Sequence, residues 1–118
     1  MTLHLANVTF DCTDPIKTAN FWSAALDLPI DEGASPYFVS IGLGNPDVSP
    51  TWFFAAVPEP KTAKSRTHLD MHTDDRAAEV TRLLSLGATH VSDHDEWGTQ
   101  WTVLLDPEGH EFCVAQEH

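Results

Sequence analysis

A shift of sixty-one residues lays the second half of this chain over the first. Asn7-Val8 falls on His68-Leu69, Asp11 on His72 and Asp14 on Asp75. The identity is slight, yet the order of apolar and polar segments repeats. Two copies at so long a period do not make a solenoid, which needs three or more short repeats. Each copy must bury an apolar face of its own, with a helix laid on a sheet.

The segments follow in order. "LANVTFDCT" alternates Val8, Phe10 and Cys12 against Asn7, Thr9 and Asp11, which is the period of a strand. "DPIKTANFWSAALDLP" predicts a helix with Asp14 as N-cap and Pro15 at its first position. Its apolar stripe is Ile16, Ala19, Trp22, Ala25 and Leu26, and Pro29 ends it. "YFVSIGL" and "TWFFAAV" predict strands on either side of the loop "GNPDVSP". "PEPKTAKSR" has two prolines and no apolar period, so it reads as a linker. The cycle then restarts. "THLDMHT" predicts a strand, and "DDRAAEVTRLLSLGA" a helix capped by Asp74 or Asp75 and stopped near Gly87. The stripe of this second helix is Ala77, Val80, Leu83 and Leu84. "THVSDHD" and "TQWTVLL" form a hairpin around "EWG", "DPEG" is a turn, and "HEFCVAQ" is the last strand. The expected class is α+β: module one at 1–57, a linker at 58–65 and module two at 66–118, each module a βαβββ unit.

The stretch "SRTHLDMHT" carries the functional question. Arg66, His68, Asp70 and His72 alternate with Thr67, Leu69, Met71 and Thr73. Leu69 and Met71 are expected to face helix two, as Val8 and Phe10 face helix one. The charged row, with Asn7, Thr9 and Asp11 from the first copy, then points away from the helices. His68 and Asp70 are neighbours on that row, about 7 Å apart by strand rise. A carboxylate beside an imidazole fixes its tautomer and raises its pKa, which suits a general base removing a proton next to a carbonyl. The competing reading is a polar pair that joins the two modules. Lys61, Lys64 and Arg66 are half of the chain's six cations. Arg66 shares the parity of His68 and is the expected anchor for an anionic group such as a carboxylate. Lys61 and Lys64 are expected to neutralise surface carboxylates instead.

Trp22 belongs to the first helix stripe and is assigned to the core. Trp52, Trp97, Trp101, Phe54 and Tyr37 supply aromatic surface for flat or cationic ligands, or for a dimer contact. His4, His90, His94, His110 and His118 show no mutual spacing that suggests a site. Cys12 and Cys113 each sit in an apolar segment and are read as buried free thiols. Nucleophile-elbow, phosphate-loop and dinucleotide patterns are absent.

The bulk numbers bound these readings. A chain of 118 residues holds one domain with a single core. A formal net charge of -12 repels phosphate backbones, so nucleic acid is excluded as a partner. No apolar run is long enough for a membrane span. The opening "MTLHLANVTF" lacks the basic start and apolar block of a signal peptide, so a cytoplasmic address is expected.

The paired modules, the "DP…FW…AL" helix, the run "VPEPKTAKSRTHLD" and the closing "DPEGHEFCV" together resemble the glyoxalase/bleomycin-resistance/extradiol-dioxygenase (vicinal oxygen chelate) superfamily. The closest resemblance is to its small glyoxalase-like group, and it covers residues 3 to 116. It implies two βαβββ modules forming a cup-shaped curled sheet with the helices outside, helix-free faces lining the cup, and a homodimer. It also implies, for metal-dependent members, one ligand from each of four strands. Carried over by position, those ligands fall on His68, on Asn7, on Cys113 where a Glu usually stands, and on "TWFFAAV", which offers no carboxylate. No metal cofactor is therefore expected. The site expected in the cup is His68 and Asp70 as catalytic pair, with Asn7, Thr9, Arg66, His72, Trp97, Trp101 and Cys113 touching a small-molecule ligand. Two functions compete: a metal-independent lyase or isomerase, and a protein that sequesters a drug or metabolite without chemistry.

Overall fold

The structure is a computed structural model that describes residues 3–117; His118 lies outside the described residues. Two compact units divide between Pro60 and Lys61.

The first unit holds β1 (Asn7–Cys12), α1 (Pro15–Leu26), β2 (Phe38–Ile41) and β3 (Thr51–Ala56). Its sheet runs β1-β3-β2, with β1 parallel and β2 antiparallel to β3. Asp14 caps α1 by accepting a hydrogen bond from the Lys17 amide, and Pro15 occupies the first turn. The core is aromatic. Phe10, Trp22, Trp52 and Phe54 are all buried, with ring centroids of neighbours 5.2 to 5.8 Å apart. Trp52 and Phe54 are therefore core residues and not ligand surface, which corrects their expected role. The buried face of α1 is also rotated from the expected stripe. Pro15, Thr18, Ala19, Phe21 and Trp22 are buried, whereas Ile16 is 38% exposed. The bulky Phe21–Trp22 pair packs edge to face and turns that side of the helix to the sheet.

This copy is one strand shorter than a full βαβββ unit. Between α1 and β2, "PIDEGASP" pairs only at a single bridge, Ile30 to Ile41. Pro29, Gly33 and Pro36 interrupt any longer ladder. Asp31 organises the turn beyond β2 by accepting bonds from the Ser40 hydroxyl and the Gly42 and Leu43 amides. Gly42 has φ 82°, and a Cβ there would stand 2.4 Å from a Val48 methyl, so the position needs glycine.

The second unit holds β4 (Leu69–Thr73), α2 (Arg76–Leu86), β5 (Thr89–Glu96), β6 (Thr99–Leu105) and β7 (Glu111–Gln116). It is a complete βαβββ unit with strand order β4-β7-β6-β5. β4 runs parallel to β7, and the β6 pairings are antiparallel. Asp75, not Asp74, caps α2 through the Ala78 amide, and Gly87 closes it at φ 120°. Leu104, Phe112, Val114 and Leu83 form the buried core. Leu84 is 40% exposed, so the α2 stripe is narrower than expected. Arg76, at the start of α2, donates to the Thr102 hydroxyl at 2.7 Å, and that hydroxyl donates to Asp93 at 2.7 Å. The Thr102 hydrogen bond, reinforced by His90 and Arg76, holds the Asp93 carboxyl below its usual range.

Asp106 is 3% exposed and folds the "DPEG" turn onto itself. Its carboxylate accepts from the Glu108 and His110 amides and lies 3.0 Å from His110 Nδ1. Among the described residues, no helix is long and apolar enough to cross a membrane.

Candidate functional site

The helix-free face of the second sheet follows from register. Asp70 on β4 pairs with Cys113 on β7, Cys113 with Val103 on β6, and Val103 with Ser92 on β5. One pleat further along, His72, Ala115, Trp101 and His94 form the next row. All eight residues line one open pocket of about 760 Å³. That volume is within the range of small-molecule sites. Phe112, Val114 and Leu104 alternate with them on the opposite, buried face. Every residue lining this pocket belongs to the second unit.

At one end His68 Nε2 lies 3.4 Å from Asp70 Oδ1. The strand-rise spacing of about 7 Å separates the backbones, whereas the side chains bend together. A carboxylate beside Nε2 favours the tautomer with its proton there and leaves Nδ1 as the free lone pair. Both side chains are about half exposed, 49% and 59%. The donor atoms of His68, Asp70 and Cys113 all lie within 4.8 Å of one another. Cys113 is buried, and burial, with the charge and hydrogen bond of Asp70, pushes its thiol up to about 11 against the opposing pull of Lys64. At neutral pH it stays a thiol and is a poor nucleophile.

The segment expected as a linker is partly bound to this sheet. Glu111 takes Lys61 Nζ at 2.8 Å and the Ser65 amide at 3.0 Å. These bonds set Lys61 and Lys64 at the pocket. Lys64 makes no ion pair among the described residues. Arg66 is exposed in a bend ahead of β4 and does not line the pocket. β4 begins at Leu69, so strand parity does not reach position 66, and the cation that lines the pocket beside Lys61 is Lys64, not Arg66.

Trp97 and Gly98 form the hairpin tip, both at positive φ (53° and 73°), the backbone of a type I′ turn. Trp97 is 88% exposed and outside the pocket lining, but its ring stacks on Trp101 at 6.0 Å. Trp101 stacks in turn on His94 at 4.9 Å. His94 carried no signal of its own in the sequence. Counting outward from a two-residue turn at 97–98 would have paired it with Trp101. Asn7 and Thr9 lie on the helix-free side of the first sheet, bonded to each other at 3.0 Å, and are not among the pocket-lining residues.

The donors present do not fit a hard, oxygen-preferring divalent ion. The positions in the first unit carry Asn7 and an apolar β3, and the second unit offers one imidazole, one carboxylate and one buried thiol. Such a mixed set suits only a soft ion such as zinc.

Comparison with known proteins agrees with this architecture. No curated protein matches the chain. Among solved structures, an enzyme of the glyoxalase/bleomycin resistance protein/dioxygenase family from Burkholderia phytofirmans PsJN superposes with a TM-score of 0.76 at 20% identity, over 97% of this chain and 98% of that one. The fosfomycin resistance protein FosX from Mesorhizobium loti gives 0.74 at 15% identity, over 100% and 95%. Lactoylglutathione lyase from Agrobacterium tumefaciens gives 0.66 at 15%, over 98% and 95%. At these identities the likeness is one of fold. Residues 7–115 match the glyoxalase-like domain family, and the chain belongs to that family.

Proposed function

We propose that the pocket of the second unit binds a small carbonyl compound and that His68 removes a proton from the carbon beside the carbonyl, without a metal. The observation that carries this reading is the His68–Asp70 contact of 3.4 Å on the wall of a pocket whose surface is mostly apolar. His68 Nδ1 takes the proton, the C–H electron pair moves into the enolate, and Asp70 stabilises the resulting imidazolium. Return of that proton at a neighbouring atom completes an isomerisation. Expulsion of a leaving group from the next carbon completes a lyase reaction. Lys64 offsets charge on the bound anion, and the neutral Cys113 thiol keeps Asp70 hydrogen-bonded. No step passes through a metal ion.

Solvent deuterium incorporation into a panel of oxo acids, followed by NMR, tests this. His68→Ala should slow exchange at least about a hundredfold, as expected when a general base is removed. Exchange retained in that variant would eliminate the base. A second reading, sequestration without chemistry, draws on the exposed Trp97–Trp101–His94 stack. Tight binding with no exchange in the unaltered protein would favour it.

A further inference from the structure

We infer that this pocket selects aromatic oxo acids, compounds with one carboxylate at one end and a flat apolar ring at the other. The inference rests on the small-molecule reading above and names its ligand class.

The charges in the pocket exclude most alternatives. Two cations line it, Lys61 and Lys64. Lys61 is paired with Glu111 at 2.8 Å, which removes one positive and one negative charge from the ligand's reach. Asp70 is in contact with His68 and accepts from the Cys113 thiol. Lys64 is left as a cation without an ion pair among the described residues. A single ammonium suits a monoanion. A phosphate dianion needs more, typically an arginine fork or a helix N-terminus, and no residue of α2 lines the pocket.

Geometry then sets the rest of the molecule. Lys64 senses Cys113 electrostatically, so it belongs to the His68–Asp70–Cys113 end. Trp101 stands two strands and one pleat from Asp70, about 12 Å between backbones by strand spacing and rise. The sheet between carries Val103 and Ala115, and apolar surface makes up most of the wall. That wall favours a flat ring over a sugar or peptide, with His72, Ser92 and Thr99 among its polar members. Trp101, supported by His94, supplies an aromatic wall for a ring. A carboxylate on Lys64 would leave the adjacent carbonyl, and the C–H beyond it, near His68.

Isothermal titration with three probes tests this: phenylpyruvate, phenylacetone (a methyl in place of the carboxylate) and pyruvate (no ring). Phenylpyruvate should bind at least about tenfold more tightly than either, the scale of one charge-assisted hydrogen bond. Its advantage over phenylacetone should vanish in Lys64→Ala, return in Lys64→Arg and persist in Arg66→Ala. Equal affinity for phenylpyruvate and phenylacetone, or a preference untouched by Lys64→Ala, would overturn the inference. So would failure of all three probes to bind. The two proposals fail separately. Deuterium exchange into phenylacetone without carboxylate preference would leave the base and remove the ligand class. Lys64-dependent binding without exchange would do the reverse.

Discussion

Replacing Glu111 by Gln tests the link between the 61–65 segment and the pocket. The Glu111 side chain is 10% exposed and its partner Lys61 is 23% exposed, so the pair lies between a surface bridge and a buried one. A surface pair contributes up to about 1 kcal/mol, and breaking a buried one costs about 3–5 kcal/mol. Glutamine keeps an oxygen for the Ser65 amide but loses the charge that holds Lys61. A loss of about 1.5 kcal/mol follows, or about 5 °C in Tm for a domain of this size. The pH dependence checks the cause. Burial pushes the Glu111 carboxyl up, yet the Lys61 ammonium and the Ser65 N–H outweigh it and hold it below the usual glutamate value. A depressed folded pKa gives stability that is fully present above the unfolded value and lost as pH falls through the folded one. Urea unfolding of the two proteins should therefore differ by a constant amount from pH 7 to about 5, and the difference should shrink as the pH falls below the unfolded value of about 4.3 and through the folded one. A gap below about 0.3 kcal/mol at pH 7, or one that does not shrink as the pH falls below about 4.3, would refute the reasoning.

Two further outcomes follow from the same geometry. Trp97 holds φ 53° beside Gly98, a backbone that suits Asn-Gly far better than a bulky ring, so Trp97→Asn should raise stability by about 0.5–1 kcal/mol in thermal melts; a loss beyond 1 kcal/mol would mean that the ring stack holds the hairpin. Cys113, with its thiol pushed up to about 11, should resist iodoacetamide at pH 7.5 when the protein is folded, and mass-resolved alkylation within minutes would contradict its assigned state.

The local chemistry of the chain predicts its helix ends well. Asp14, Asp75 and Gly87 act at short range, through bonds to amides and carbonyls of the adjoining turn, so their roles are readable from the order of residues alone. The face a helix buries is decided elsewhere. Ile16 fits an apolar stripe as well as Phe21 does, but Phe10, Trp52 and Phe54 on the sheet present a surface that Phe21 and Trp22 fill. The strand shortened to one bridge at Ile30 has a local origin instead. Its apolar content resembles its counterpart in the second unit, while two prolines and a glycine within eight residues deny it a ladder.

The candidate site divides along the same line, between parity and register. Alternation along 68–73 assigns His68, Asp70 and His72 to one face, because a period of two is a property of the strand itself. It cannot say where the strand begins, and that boundary decides whether Arg66 or Lys64 reaches the pocket. Nor does it reveal which strand lies alongside. Asp70 meets Cys113 only because β4 pairs with β7, forty-three positions further on, and that pairing is fixed by which apolar faces α2 can cover. Lys64 illustrates the point most directly. In the linear sequence it is one lysine in a polar segment of an acidic chain. Glu111, whose carboxylate binds Lys61 and the Ser65 amide on either side of it, is what makes Lys64 part of the pocket wall.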